Sequence, residues 1–113
     1  MLTPDAPWNP SRRQIAAWIV PWLVKSYNAG WRGYIISGYR SPSYSTSLCM
    51  NMCGHPTCVY CAGSGSRHSG SEYPNGAVDL SDYYTFDAIQ PRIGSPLKNA
   101  LSGDRWHHSA TGN

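Results

Sequence analysis

Asn75-Gly76-Ala77-Val78-Asp79-Leu80 is a short apolar run with one carboxylate inside it, entered through Asn-Gly. Ala77 to Leu80 therefore predicts a short buried strand that carries Asp79 into the interior. Upstream, Ser41 to Gly76 is dominated by Ser, Gly, Pro and Cys, with a helical turn or two around Tyr44 to Asn51. Such a segment is loop-rich and suited to building a site. Gly33 to Gly38, centred on Tyr34-Ile35-Ile36, predicts another strand. Trp106 to Ser109, entered through a turn at Ser102-Gly103, predicts a third. Phe86 to Ile89 is ambiguous between helix and strand, and Leu97 to Leu101 reads as a brief helix.

The N-terminal part supplies the helix that this sheet needs. Ser11 and Gln14 have capping-box spacing, and Ile15, Trp18, Ile19, Trp22 and Leu23 recur at helical intervals, so an amphipathic helix is expected over about 12 to 28. Pro21 is expected to kink it, and Asn28-Ala29-Gly30 to close it. Residues 1–10, with three prolines, read as an irregular arm. The expectation is an α+β domain spanning 1–113, an N-terminal helix packed on a small antiparallel sheet with many loops.

Composition bounds the rest. Val, Ile, Leu and Phe number only 17 of 113 residues, so fourteen aromatics must supply much of the core. Charged residues are 13% and the net charge is +3, with no basic run longer than Arg12-Arg13, which excludes a charge-driven nucleic-acid arm. The longest apolar stretch, Ile15 to Val24, is ten residues and contains Pro21, too short for a membrane span and a poor core for a secretory signal.

Metal-ligand residue types sit in two segments: Ser66-Arg67-His68 running on to Asp79, and Asp104-Arg105-Trp106-His107. Two imidazoles and one carboxylate would leave a fourth tetrahedral position open for water, the arrangement of a hydrolytic site. Taken singly, His68 reads as a loop histidine and Asp79 as a turn cap. Neighbours on a strand face opposite ways, so only one of His107 and His108 should reach a metal. Asp82 and Asp87 read as turn or helix caps, and His55 as a loop polar group.

Taken in order, Ile36-Ser37-Gly38-Tyr39-Arg40-Ser41-Pro42, Ser66-Arg67-His68, Gly76-Ala77-Val78-Asp79-Leu80 and Trp106-His107 resemble the zinc D-Ala-D-Ala carboxypeptidases and the phage endolysin peptidases of the Hedgehog/DD-peptidase fold. The resemblance covers about Ser11 to Ser109. It implies that His68, Asp79 and His107 bind a catalytic zinc, that Asp104 is the general base, and that Arg40 clamps a substrate carboxylate in a pocket lined by Ser66. It implies as substrate the D-amino-acid-containing stem peptides of bacterial peptidoglycan, cut by carboxypeptidase or endopeptidase action. A short chain without an evident signal further suggests a phage lytic or virion-associated enzyme, in the host cytoplasm before lysis. The other reading is a non-catalytic, zinc-stabilised structural or cell-wall-binding module of the same fold.

Two features depart from the family. Residues 69–74 read as an insertion between first histidine and aspartate, and they contain Glu72, the chain's only glutamate and the alternative base. Residues 49–61 form a Cys-rich insertion in which Cys58 and Cys61 have knuckle spacing, while Cys49 and Cys53 would lie one helical turn apart. Disulfides between such near neighbours close short loops that constrain the unfolded chain little. A second, structural zinc held by Cys49, Cys53, Cys58 and Cys61 is therefore expected.

Overall fold

The structure, a computed structural model, describes residues 1–59, 61–101 and 103–113, so the Ser102 half of the expected turn lies outside the described residues. Three short strands, β1 (Ile35–Ser37), β2 (Ala77–Leu80) and β3 (His107–Ser109), form an antiparallel sheet in the order β1-β2-β3. Every residue of the central strand β2 is buried. Val78 and Leu80 join the hydrophobic core, and the period-2 alternation of a strand sends Asp79 to the other face. Across β2 and β3, Val78 pairs with His108 and Asp79 with His107.

The core face is covered by helices α1 (Val20–Asn28) and α3 (Tyr83–Ile93). Within α3, Phe86, Ile89 and Gln90 are buried and Ile93 packs against the core, a helical stripe that resolves the ambiguous Phe86 to Ile89 segment. Gln90 Nε2 donates to Ser26 Oγ at 2.8 Å and links the two helices. Trp31 and Phe86, both fully buried, meet edge to face with ring centroids 5.3 Å apart. Such a pair adds about 0.5–1.5 kcal/mol beyond its area burial, which makes good some of the missing aliphatic residues. Trp18 and Trp22 are partly buried against the same core.

The N-terminal helix begins later than its sequence pattern implies. Buried Asn9 bonds the backbone of Pro4 and Arg13, Ile15 exchanges backbone hydrogen bonds with Leu2, and Gln14 O accepts from Tyr39 N. These bonds hold residues 12–16 in a non-helical path, with Arg12 at φ 53°, so Ser11 and Gln14 do not form a capping box. A 3-10 turn, Ala17–Ile19, leads into α1. Pro21 thus falls in the first turn, where its missing N–H costs nothing, and the expected kink is absent. Gly30, at φ 122°, follows the helix as anticipated.

Residues 97–101 do not form the expected helix. Lys98 instead exchanges backbone hydrogen bonds with Ser109, and Asn99 Oδ1 accepts from Leu101 N, a local side-chain bond of the kind that competes with helix formation.

Helix α2 (Pro42–Cys53) extends beyond the expected turns at both ends. Ser41 Oγ accepts from Tyr44 N, Pro42 opens the helix, and Gly54 at φ 72° closes it. Cys49 and Cys53 do lie one turn apart, but each meets a different partner on the returning chain. The disulfides are Cys49–Cys61, with Cα atoms 5.6 Å apart, and Cys53–Cys58, with Cα atoms 6.8 Å apart. They use all four cysteines, so the expected four-cysteine zinc site is not formed. The loop-length argument failed because it compared the loops with the unfolded chain alone. In the fold, the turn Gly63–Gly65 packs on α2 and carries Cys61 directly against buried Cys49.

The Cys49–Cys61 link spans 12 positions, for which loop-closure entropy gives about 3 kcal/mol. Replacing both residues by Ala should lower unfolding stability by about that amount in a denaturant titration. Thiol counting on the denatured, unreduced wild type should find none free.

Candidate metal centre

His68, Asp79 and His107 come from three separate elements and meet on the sheet face opposite the core. His68 lies in a 3-10 turn, Arg67–Ser69, whose first backbone N–H groups are capped by Ser66 Oγ accepting from His68 N at 3.2 Å. That turn is stitched to the segment after β1 by Arg40 N donating to His68 O at 2.8 Å. Asp79 is on β2, and His107 is its direct cross-strand partner on β3. Gly76, at φ 105°, makes the bend into β2, and a Cβ there would approach Ala16 Cβ to 2.9 Å. Only glycine suits both demands.

The three facing atoms form a nearly equilateral triangle. His68 Nε2 is 3.1 Å from Asp79 Oδ1 and 3.1 Å from His107 Nδ1, and His107 Nδ1 is 3.2 Å from Asp79 Oδ1. All three side chains are buried. Ligands about 2.0–2.1 Å from a tetrahedral ion lie about 3.3–3.4 Å from one another, so a widening of the triangle by about 0.2 Å would admit a cation.

Proton placement argues for a cation as well. His68 Nδ1 faces Gly38 O at 2.7 Å, so that nitrogen carries the hydrogen and Nε2 turns a lone pair inward. A carboxylate oxygen and a second imidazole nitrogen turn toward the same point. Without a metal, a proton on His107 Nδ1 makes its contact with Asp79 a hydrogen bond; with that hydrogen on Nε2 instead, all three atoms turn lone pairs to one point, where a metal ion would sit. The buried group can hold a metal ion, with residues fitting in number, type and separation.

Asp79 divides its carboxylate. Oδ1 faces the two imidazoles, and Oδ2 is 3.5 Å from Arg40 Nη2. Burial alone would push the Asp79 carboxyl up, but hydrogen bonds and positive charge from His107 and His68 outweigh it and hold the group well below the usual carboxylate range. Burial depresses the His107 imidazole, while its hydrogen bond to Asp79 and the charges of Asp79 and Asp104 outweigh that and raise it.

A cleft of about 570 Å³ opens over the triad, and Arg40, Ser66 and Asp104 line it together with His68, Asp79 and His107. All six residues singled out from the sequence for the main site therefore share one cavity. Asp104 is partly buried, and its Oδ1 is fully enclosed with no hydrogen-bond partner. Burial, followed by the negative charge of Asp79, raises its carboxyl above the ordinary value. Glu72 is exposed and does not line the cleft, and His55 is likewise exposed.

Two supports escaped the sequence reading. Asn99 Nδ2 donates to both Asp104 O and His107 O, each at 2.5 Å, and so brackets the turn that carries both side chains. His108 faces away from the other two imidazoles, as strand alternation requires. It is fully buried, with Nε2 2.6 Å from Asp87 Oδ1 and Nδ1 2.7 Å from Trp106 O, so Asp87 is its partner and not a cap. The alternation rule pointed to opposite faces for the two histidines, but nothing local in the sequence named Asp87 or Asn99 as partners.

No protein-family model matches the chain, and neither the curated proteins nor the solved structures contain a match to it.

Asn99→Ala should cost about 1–3 kcal/mol, the penalty for leaving the carbonyl of buried His107 without its side-chain donor, read from denaturant midpoints. A second expectation concerns pH in the metal-free protein. Asp79 is more acidic folded than unfolded, so its contribution is present above about pH 3.9 and is lost as pH falls through its depressed value. His107 is more basic folded, so its contribution is complete below about pH 6.5 and is lost as pH rises through its raised value. Thermal unfolding in chelator should show greatest stability between those limits, and a Tm that keeps climbing into the alkaline range would contradict the pairing.

Proposed function

We propose that this chain is a zinc-dependent peptidase acting on the D-amino-acid-containing stem peptides of bacterial peptidoglycan, with a Hedgehog/DD-peptidase-like fold. The observation that carries the reading is the convergence of His68, Asp79 and His107 on one point beside a cleft that also holds Asp104 and Arg40. The ordered motifs from Ser37 to His107 support the same reading through their resemblance to that family.

Zinc, when bound, would supply a water of lowered pKa and a Lewis acid for the scissile carbonyl. His68, Asp79 and His107 would hold the ion. Asp104, whose enclosed Oδ1 has no other partner, takes the proton from the attacking water and returns it to the leaving amine. Its raised pKa suits a group that must both accept and give a proton. Arg40 touches Asp79 with one guanidinium nitrogen and is partly exposed, so its other N–H groups receive a substrate carboxylate. Ser66 accepts from His68 N, which leaves its own hydroxyl hydrogen for the substrate. The same resemblance extends the reading to a phage lytic or virion-associated enzyme, with the bacterial cell wall as the place of action.

The test joins metal analysis to digestion of purified peptidoglycan, with mass spectrometry of the products. One zinc per chain is expected, and His68→Ala should lose metal and turnover together. Asp104→Asn should keep the zinc and lose about 10²–10⁴-fold in turnover. Near-wild-type hydrolysis by Asp104→Asn would remove the base. Zinc binding without any hydrolysis by the wild type would instead favour a metal-stabilised binding module.

A further inference from the structure

The cleft is larger than a metal, its water and a carboxylate clamp require, and its far side has a different chemistry. Leu48 and Met52 stand one turn apart on the same face of α2 and line it, joined by Val59 and Ala62. None of these side chains is polar. Met52 is 62% exposed and Val59 95% exposed, so two apolar side chains are held open to solvent at the rim of one cavity. Singly exposed apolar residues are ordinary, whereas apolar residues gathered around a concave site mark a binding surface.

The Cys-rich insertion is what holds them there. Cys53–Cys58 ties the end of α2, immediately after Met52, to the residue before Val59. Cys58 and Cys61 exchange backbone hydrogen bonds at 2.9 and 3.1 Å, which fixes the tight turn containing Val59. Cys49–Cys61 then anchors that turn to the buried face of α2, and Ser45 Oγ lies 2.7 Å from Ser69 Oγ beside His68. Covalent and hydrogen-bonded links thus run from the apolar rim to a metal ligand. Of the nearby charges, Arg67 directs Nη1 to Asn75 Oδ1 at 2.7 Å, while Arg40 and Asp79 pair with each other.

We infer that Leu48, Met52 and Val59 form a side-chain subsite that takes the aliphatic stem of a substrate residue next to the cleaved bond, held at a fixed distance from the metal by the two disulfides. The inference rests on the peptidase reading and adds a preference to it. An uncharged chain of several methylenes fits an apolar wall open at one end, and a terminal ammonium on the same stem can remain in water. Methionine's flexible thioether lets the wall adapt to branched or linear chains. A carboxylate on a short stem would be drawn into the apolar rim without a partner.

The experiment uses the full chain with its disulfides intact and four N-acetylated tripeptides, X-D-Ala-D-Ala, in which X is norleucine, lysine, glycine or glutamate. Norleucine and lysine should be cleaved with kcat/KM about tenfold or more above glycine, with glutamate lowest. The double variant Met52→Ser, Val59→Ser should bring the norleucine-to-glycine ratio to within about twofold while zinc affinity stays unchanged. A double variant that keeps the wild-type ratio overturns the subsite and leaves the peptidase reading standing. Should the wild type cleave none of the four and no peptidoglycan, the peptidase reading falls. Amide chemical shifts on adding the norleucine peptide then decide the subsite. Shifts centred on Leu48, Met52 and Val59 support it, and their absence overturns it.

Discussion

The pairing of Asp79 with His107 across β2 and β3 is the contact on which both halves of this protein depend. It is a register, fixed by backbone hydrogen bonds, and it sorts side chains with a period of two. On one face Val78 and Leu80 close the core with Phe86 and Ile89. On the other, the same register brings a carboxylate and an imidazole to 3.2 Å. Burying a carboxylate in the middle strand of a three-stranded sheet carries a large desolvation cost, and His68, His107 and Arg40 offset it with hydrogen bonds and charge. The group that makes the site is thus also the group whose burial must be compensated, so ligand removal and fold destabilisation are expected to travel together.

Where local pattern determined structure, the sequence was readable. The run Ala77 to Leu80 is too short and apolar for anything but a buried strand, and Ser66 ahead of His68 is a cap written into adjacent residues. His68, Asp79 and His107, singled out by residue type and motif order, do converge, two of them as cross-strand partners. What could not be read depended on partners distant in the chain. Helix α1 starts at Val20 because Leu2, Asn9 and Tyr39 bond the backbone that a helical pattern alone would have wound up. Residues 97–101 lost their helix to Ser109, and His108 found Asp87 across 21 positions. The cysteines were misjudged for the same reason: spacing reports which thiols are near in sequence, while α2 folding back on Gly63–Gly65 decides which are near in space.

The cleft joins two kinds of wall made by two kinds of constraint. Around the His68, Asp79 and His107 group, hydrogen bonds dominate: Gly38 O orients His68, and Asn99 brackets Asp104 and His107. Along α2, covalent bonds dominate, and the side chains they present are apolar and open to solvent. Small domains with few aliphatic residues often need such staples. Here the staples lie beside the cavity and leave the core to Trp31, Phe86 and the aliphatic residues around them.

The doublet His107-His108 gives β3 an unusual symmetry against error. A one-residue slip of a strand ordinarily exchanges a polar face for an apolar one and announces itself by burying the wrong chemistry. A slipped β3 would still offer an imidazole to Asp79, so the ligand side alone could not tell the two alignments apart. Discrimination falls to the other face, where only the native alignment lets His108 meet Phe86 edge to face with centroids 4.8 Å apart and reach Asp87. It falls also to the strand's end, where Ser109 locks onto Lys98. The alignment of the His68, Asp79 and His107 group is thereby proofread from behind, by a helix that never touches the cleft.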